Sequence, residues 1–161
     1  MTTPLPQLTR GATARRLTED PGCVITLLAD AGATGGALTA NRSTFRTGAD
    51  GAPPHVHDHM TELFYVLDGA LQVLVGDEVI VLEAGDLLAV PPGTPHAFAA
   101  APGREADVLF VFTPGRERFA YYELLDRAHA GDASFDDLAA TQERFDNRYV
   151  DSAAWAAARA A

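Results

Sequence analysis

Four residues of this chain combine metal-binding donor atoms with a spacing that brings them together: His55, His57, Glu62 and His96. His55 and His57 lie two positions apart in the segment "PPHVHDHMTE". In an extended strand, side chains at i and i+2 share a face, so these two imidazoles point the same way. They can converge on one ion, which holds nitrogen at about 2.0–2.1 Å. Glu62 follows five residues after His57, the wrong parity for an unbroken strand. A turn through residues 58–61 would return its carboxylate to the same side, and Pro53 and Pro54 stiffen the approach. A His-X-His pair needs further ligands from elsewhere. The other histidine in this part of the chain is His96, in "GDLLAVPPGTPHAF", 34 residues beyond Glu62. Three imidazoles and one carboxylate suit one divalent transition ion, Fe, Mn, Ni, Co or Zn, and match Ca or Mg poorly. Gathered in a core without a metal, the four would need many hydrogen-bond partners. His59, inside the same segment, reads as exposed or as a supporting neighbour of the site. Asp58 reads as a solvated turn residue, and His129 as solvent-facing or capping.

The elements that must position these residues are short. "CVITLLA", "ELFYVL", "ALQVLV", "EVIVL", "DLLAV" and "DVLFVF" are strand-length runs rich in β-branched and aromatic residues. Turn signals separate them: Asp68-Gly69, Gly76-Asp77 and Ala84 to Asp86. Many short strands closely spaced from about residue 22 to 113 predict an all-β sandwich or barrel. His96 then lies about three strands beyond Glu62, where a closing barrel would fold back. After Pro114-Gly115 the period changes. Phe119, Tyr122, Leu125 and Ala128 recur at intervals of three, and Gly131 is a stop. Ser134 with Asp137 forms a capping box ahead of Phe135, Leu138, Gln142 and Phe145. Asp151 or Ser152 would cap a last Ala-rich helix through Trp155. The expectation is one domain, residues 1–161: a β core at about 22–113, then two or three helices at about 116–160 that cover an opening or edge of the sheet.

Composition narrows the partners. A formal charge of −10, with no basic patch interleaved with aromatics, argues against nucleic acid and anionic membrane surfaces. The single cysteine, Cys23, sits in an apolar run and reads as a core residue with no disulfide framework. The first residues lack a leader's apolar core, and no stretch reaches the about 18 apolar residues of a membrane helix. The expected location is cytoplasmic.

The two segments together resemble the signatures of the cupins. "HVHDHMTE" with Gly69 is similar to the first: two histidines one residue apart, a glutamate, then a glycine after six residues. "GDLLAVPPGTPH" is similar to the second, with Gly85, Pro91, Gly93 and His96 in order. The resemblance covers about residues 35–113. It departs at two positions that are not ligands: the family's opening glycine is Ala49, with Gly48 or Gly51 near enough to relax the backbone, and the closing asparagine is Ala100. The resemblance implies a double-stranded β-helix, or jelly roll, holding one metal near its centre and open at one end. It also implies a homodimer.

Strand parity then supplies a lining. Phe64 and Val66 share the face of Glu62, Phe98 shares that of His96, and Phe110 and Phe112 share a face on the last strand. Such a pocket suits a small hydrophobic or aromatic substrate. Arg42 and Arg46 precede the motif on an expected strand and read as surface residues. The runs "HVHDHMTELFYVL" and "FTPGRERF" are similar to single-domain cupins of the quercetinase-like group, in which a chelated enol loses a proton and reacts with dioxygen. The resemblance therefore implies a metal-dependent dioxygenase, with Glu62 as ligand and general base. The same ligands would serve a polyketide cyclase, isomerase or decarboxylase that uses no oxygen. A non-catalytic small-molecule-binding barrel is a third reading.

Overall fold

The structure is a computed structural model that describes residues 6–20 and 22–161. The stretch read for a leader begins in residues 1–5, outside the described residues. Alternation of buried and exposed positions builds the strands. It is clearest in β2 (Cys23–Ala29), β3 (Thr39–Phe45) and β9 (Ala106–Thr113), where every second residue enters the core. With β1 (Arg16–Asp20), β4 (His55–Val56), β5 (Thr61–Val75), β6 (Glu78–Glu83), β7 (Leu87–Val90), β8 (His96–Ala100) and β10 (Arg148–Tyr149) they form an antiparallel jelly roll. The order is β1-β2-β3-β9-β5-β8-β4-β10, with β6 and β7 also on β5.

Strand β5 organises the barrel. Its first part pairs with β7 and β9, and its second with β6 and β8. The runs "ELFYVL" and "ALQVLV", expected to be two strands around a turn at Asp68-Gly69, are thus one strand. The irregularity is a bulge at Leu67, just before the dipeptide: the register with β9 shifts between Val66 and Asp68, and Gly69 takes φ 73°. A Cβ on Gly69 would lie 2.0 Å from the Glu105 carbonyl oxygen, so only glycine fits there. The kink carries the strand from one sheet to the other, which sets Glu62 on one wall and the strand of His96 on the facing one.

Helix α1 (Arg118–His129) spans the predicted periodic run, and Gly131 follows it with φ 82°. Ser134 forms the capping box with Asp137. The helix beyond it is shorter than expected: α2 (Phe135–Ala139) stops, and α3 (Gln142–Phe145) ends on Asp146 in the left-handed conformation, φ 52° and ψ 49°. With α4 (Ala153–Ala160), capped by Ser152, the described residues hold four helices rather than two or three. Trp155 of α4 packs on Leu74, Ala97 and Ala99 of the second sheet. Strand β10, between α3 and α4, adds to the edge of β4. No described helix is long and apolar enough to cross a membrane.

Candidate metal centre

The backbone brings the four predicted ligands together. His55 and His96 are direct cross-strand partners on β4 and β8. Glu62 enters from β5 on the facing sheet, opposite Val90 and Phe112. All four residues are buried, and one ligand atom from each lies within 4.8 Å of the others. His59 and Asp58 are exposed, and Asp58 pairs with Arg148. His129 is exposed and stacks edge-on against Phe135.

The hydrogen bonds orient every ring. Nδ1 of His55 lies 2.8 Å from the Pro53 carbonyl, Nδ1 of His96 lies 2.9 Å from that of Thr94, and Nδ1 of His57 lies 2.5 Å from that of Asp146. A carbonyl only accepts, so each Nδ1 carries a proton, and a ring neutral in that tautomer offers a lone pair at Nε2. Those three nitrogens face Glu62 Oε2 at 3.8, 3.0 and 2.7 Å for His55, His57 and His96. Four acceptors converging with no donor among them repel one another unless a cation lies between. The donor set therefore fits a divalent transition ion, with the backbone carbonyls fixing the tautomers as outer partners of ligating histidines do.

A proton on His55 does not meet the same need at neutral pH. Burial, helped by His96, pushes His55 down to about 3. Burial opposes ionisation of Glu62, but His55, His57 and His96, set around its carboxylate, outweigh it and hold its carboxyl well below the usual range. Both shifts have the same sign for stability. Unfolded, the histidine binds a proton near 6.5 and the carboxyl near 4.5; folded, each binds it only at lower pH. Their stabilisation is complete above about pH 6.5 and is lost as pH falls through these ranges. The expected result for metal-free protein is a urea midpoint that declines from pH 7 to pH 4. A midpoint independent of pH would contradict the burial of these groups.

The support that sequence reasoning missed is Asp146. Its carboxylate accepts from the backbone N–H groups of Asp58 and His59 at 2.8 and 3.0 Å, while its carbonyl receives His57 Nδ1. One residue at the end of α3 therefore shapes the 58–61 turn and aims His57. Asp146→Ala keeps the carbonyl that receives His57 but removes the carboxylate that holds the 58–61 turn, and is expected to weaken metal affinity by up to about tenfold, the low end for support of a ligand. Asp146→Asn should lose less, because an amide oxygen still accepts. Competition titration against a chelator checks both. Nothing in the sequence marks Asp146, since its contacts span 87 to 89 positions.

A cavity of about 460 Å³ adjoins the centre, within the roughly 300–1,000 Å³ typical of small-molecule sites. His55 and Glu62 open onto it, whereas His57 and His96 lie on the closed side. Of the predicted lining, Phe98 and Phe110 face the cavity; Phe64, Val66 and Phe112 do not. Phe64 packs edge-on beneath Phe98 and Phe110, Val66 is wholly buried, and Phe112 lies against His57. Parity reports which side of a strand a residue faces, not its depth, and the barrel floor is filled with side chains. Cys23 also borders the cavity. Strands β2 and β3 add Ile25, Asn41 and Ser43, and the helical segment closes the wall through Arg118, Tyr121, Tyr122, Leu138 and Asn147. Arg42 pairs with Asp107 at the surface, and Arg46 is exposed.

A jelly roll with three histidines and a glutamate converging inside it is the arrangement of a cupin, and residues 41–112 match the cupin domain family. The barrel of this chain is a cupin domain. Its fold is shared with KdgF from a Halomonas species, 25% identical over 68% of this chain and 96% of that one, TM-score 0.59. An RmlC-like cupin from Shewanella frigidimarina is likewise 25% identical, over 71% and 96% of the two chains, TM-score 0.60. Oxalate decarboxylase from Bacillus subtilis shares the fold at 21% identity, over 71% of this chain and 31% of that one, TM-score 0.58. No curated protein matches the chain at a significant level.

Proposed function

We propose that this protein is a metal-dependent enzyme that takes a proton from an enolic or aromatic small molecule, and that it is a dioxygenase of the quercetinase-like kind. The observation that carries the reading is that Glu62 and His55, of the four buried residues, border the cavity. A divalent ion held by His55, His57, Glu62 and His96 would polarise a substrate hydroxyl and lower its pKa. The chain supplies the rest. Glu62, ionised and facing the cavity, accepts the hydroxyl proton on its carboxylate. Phe98, Phe110 and Ile25 exclude water and hold a flat ring. The Nδ1–carbonyl bonds keep the imidazoles from turning as that proton moves.

A second reading, non-oxidative lyase, isomerase or cyclase chemistry, is favoured by the polar side of the cavity. There Tyr122 donates to Asn41 at 3.0 Å and Asn41 to Ser43 at 3.1 Å. Such groups suit proton return as well as binding, and one fold relative is a decarboxylase. Oxygen uptake by metal-loaded protein, measured with flavonols and with hydroxylated aromatic acids, tests the proposal. Uptake matching substrate loss is expected. Substrate loss without uptake moves the protein to the second reading. Binding without turnover makes it a binding barrel.

A further inference from the structure

Arg118 is the buried cation of the cavity wall. The segment before it is seated on the barrel: the Gly115 N–H donates to the Gly36 carbonyl at 2.8 Å, and Thr39 Oγ1 donates to the Arg116 carbonyl at 2.7 Å. These bonds turn the first residue of α1 inward, where it is 3% exposed. Its guanidinium lies over Phe112, Tyr121 and Tyr122, at 4.6, 4.4 and 5.2 Å from the ring centres. None of the ion pairs among the described residues includes it. Its guanidinium also has a side-chain hydrogen bond with Tyr122, but its one hydrogen bond to the backbone, from Nη1 to the Phe145 carbonyl, is long at 3.4 Å, and its Nε has no partner. Asn147, also 3% exposed and on the same cavity, has no partner for Nδ2.

Two buried donor groups left open beside one cavity are costly unless something accepts from them. A buried guanidinium without a carboxylate costs most of all. Burial works against its charge, but Tyr122, Tyr121 and Glu62 keep it cationic. Glu62 is also the anion at the metal ligands, so a divalent ion there would cancel the compensation Arg118 draws from it. The loaded cavity would then be net positive.

We propose that Arg118 and Asn147 form a carboxylate-binding subsite, and that the substrate is an aromatic or enolic acid held at two points: its carboxylate on this pair, its enolic or phenolic oxygen at the metal ligands. A guanidinium and one amide match a planar monoanion, whose two oxygens take parallel N–H donors. The inference rests on the metal-dependent reading above and deepens it. It also separates Arg118 from Arg42 and Arg46, the cations that precede the first motif, which lie outside the cavity.

The test uses Co(II)-loaded protein and calorimetric titration with 3,4-dihydroxybenzoate and its methyl ester, which differ in the anion alone. Wild type is expected to bind the acid at least about tenfold more tightly than the ester. In Arg118→Met the ratio should fall to within about twofold, with unchanged Co(II) absorption showing an intact centre. If Arg118→Met does not fold, Asn147→Ala decides, with a fall in the ratio of at least about threefold expected. Equal binding of acid and ester by loaded wild type, binding of neither, or a preference that survives these substitutions overturns the inference and leaves the metal centre standing. Failure of wild type to take up Co(II) overturns the metal-dependent reading and this one with it.

Discussion

Replacing His57 by alanine is expected to strip the protein of its metal. Protein purified without added metal or a histidine tag should fall from about one ion per chain to less than about a tenth of that. The size of the effect follows from where His57 sits. Its Nε2 is 3.0 Å from Glu62 Oε2, its Nδ1 is fixed by Asp146, and its ring lies against Phe112 on the closed side of the centre. No cavity water can take its place there without losing those contacts. Losing an outer partner of a ligand already costs about 10- to 100-fold in affinity, and losing the ligand itself costs more. His59→Ala is the control, since that side chain is exposed and only its backbone N–H is used. Equal metal in both variants would mean that the four residues do not act as one site.

Glu62→Gln should slow turnover by about 10²- to 10⁴-fold, the range a positioned base contributes, while substrate affinity changes far less. The amide keeps an oxygen for the metal but cannot take a proton. Measuring metal content on the same samples separates the two roles of the residue. If the variant works within about tenfold of wild type at equal occupancy, Glu62 is a ligand only and the base lies elsewhere. The Tyr121–Tyr149 hydroxyl pair, 2.8 Å apart with both residues on the cavity, would be the next group to test.

These expectations depend unequally on what was legible in the chain. The pair His55 and His57 was legible because its signal is local, a two-residue step that puts both on one face, whereas Glu62 and His96 were legible through the spacing of the two cupin-like segments. The helix starts were legible for the same reason, the Ser134 capping box and the Ser152 cap being short-range devices. Local reading misjudged the Asp68-Gly69 step. The same dipeptide makes a turn or follows a bulge, and only pairing with β9 decides between them. It also overextended the helix beyond Ser134, which breaks so that Asp146 can reach the 58–61 turn.

By itself the sequence determined an all-β sandwich or barrel and a paired-histidine donor site, because strand period, turn residues and ligand type are properties of neighbouring positions; its resemblance to the cupins added the jelly roll. Only the tertiary structure decided which side of that centre borders the cavity, which aromatic rings line the cavity rather than its floor, and that Arg118 and Asn147 border the cavity while Asp146 holds His57. The reason is distance along the chain. The helical segment that carries those three residues meets the barrel through contacts between residues tens of positions apart, and no spacing rule reports burial, depth or an unpartnered donor before the chain has folded.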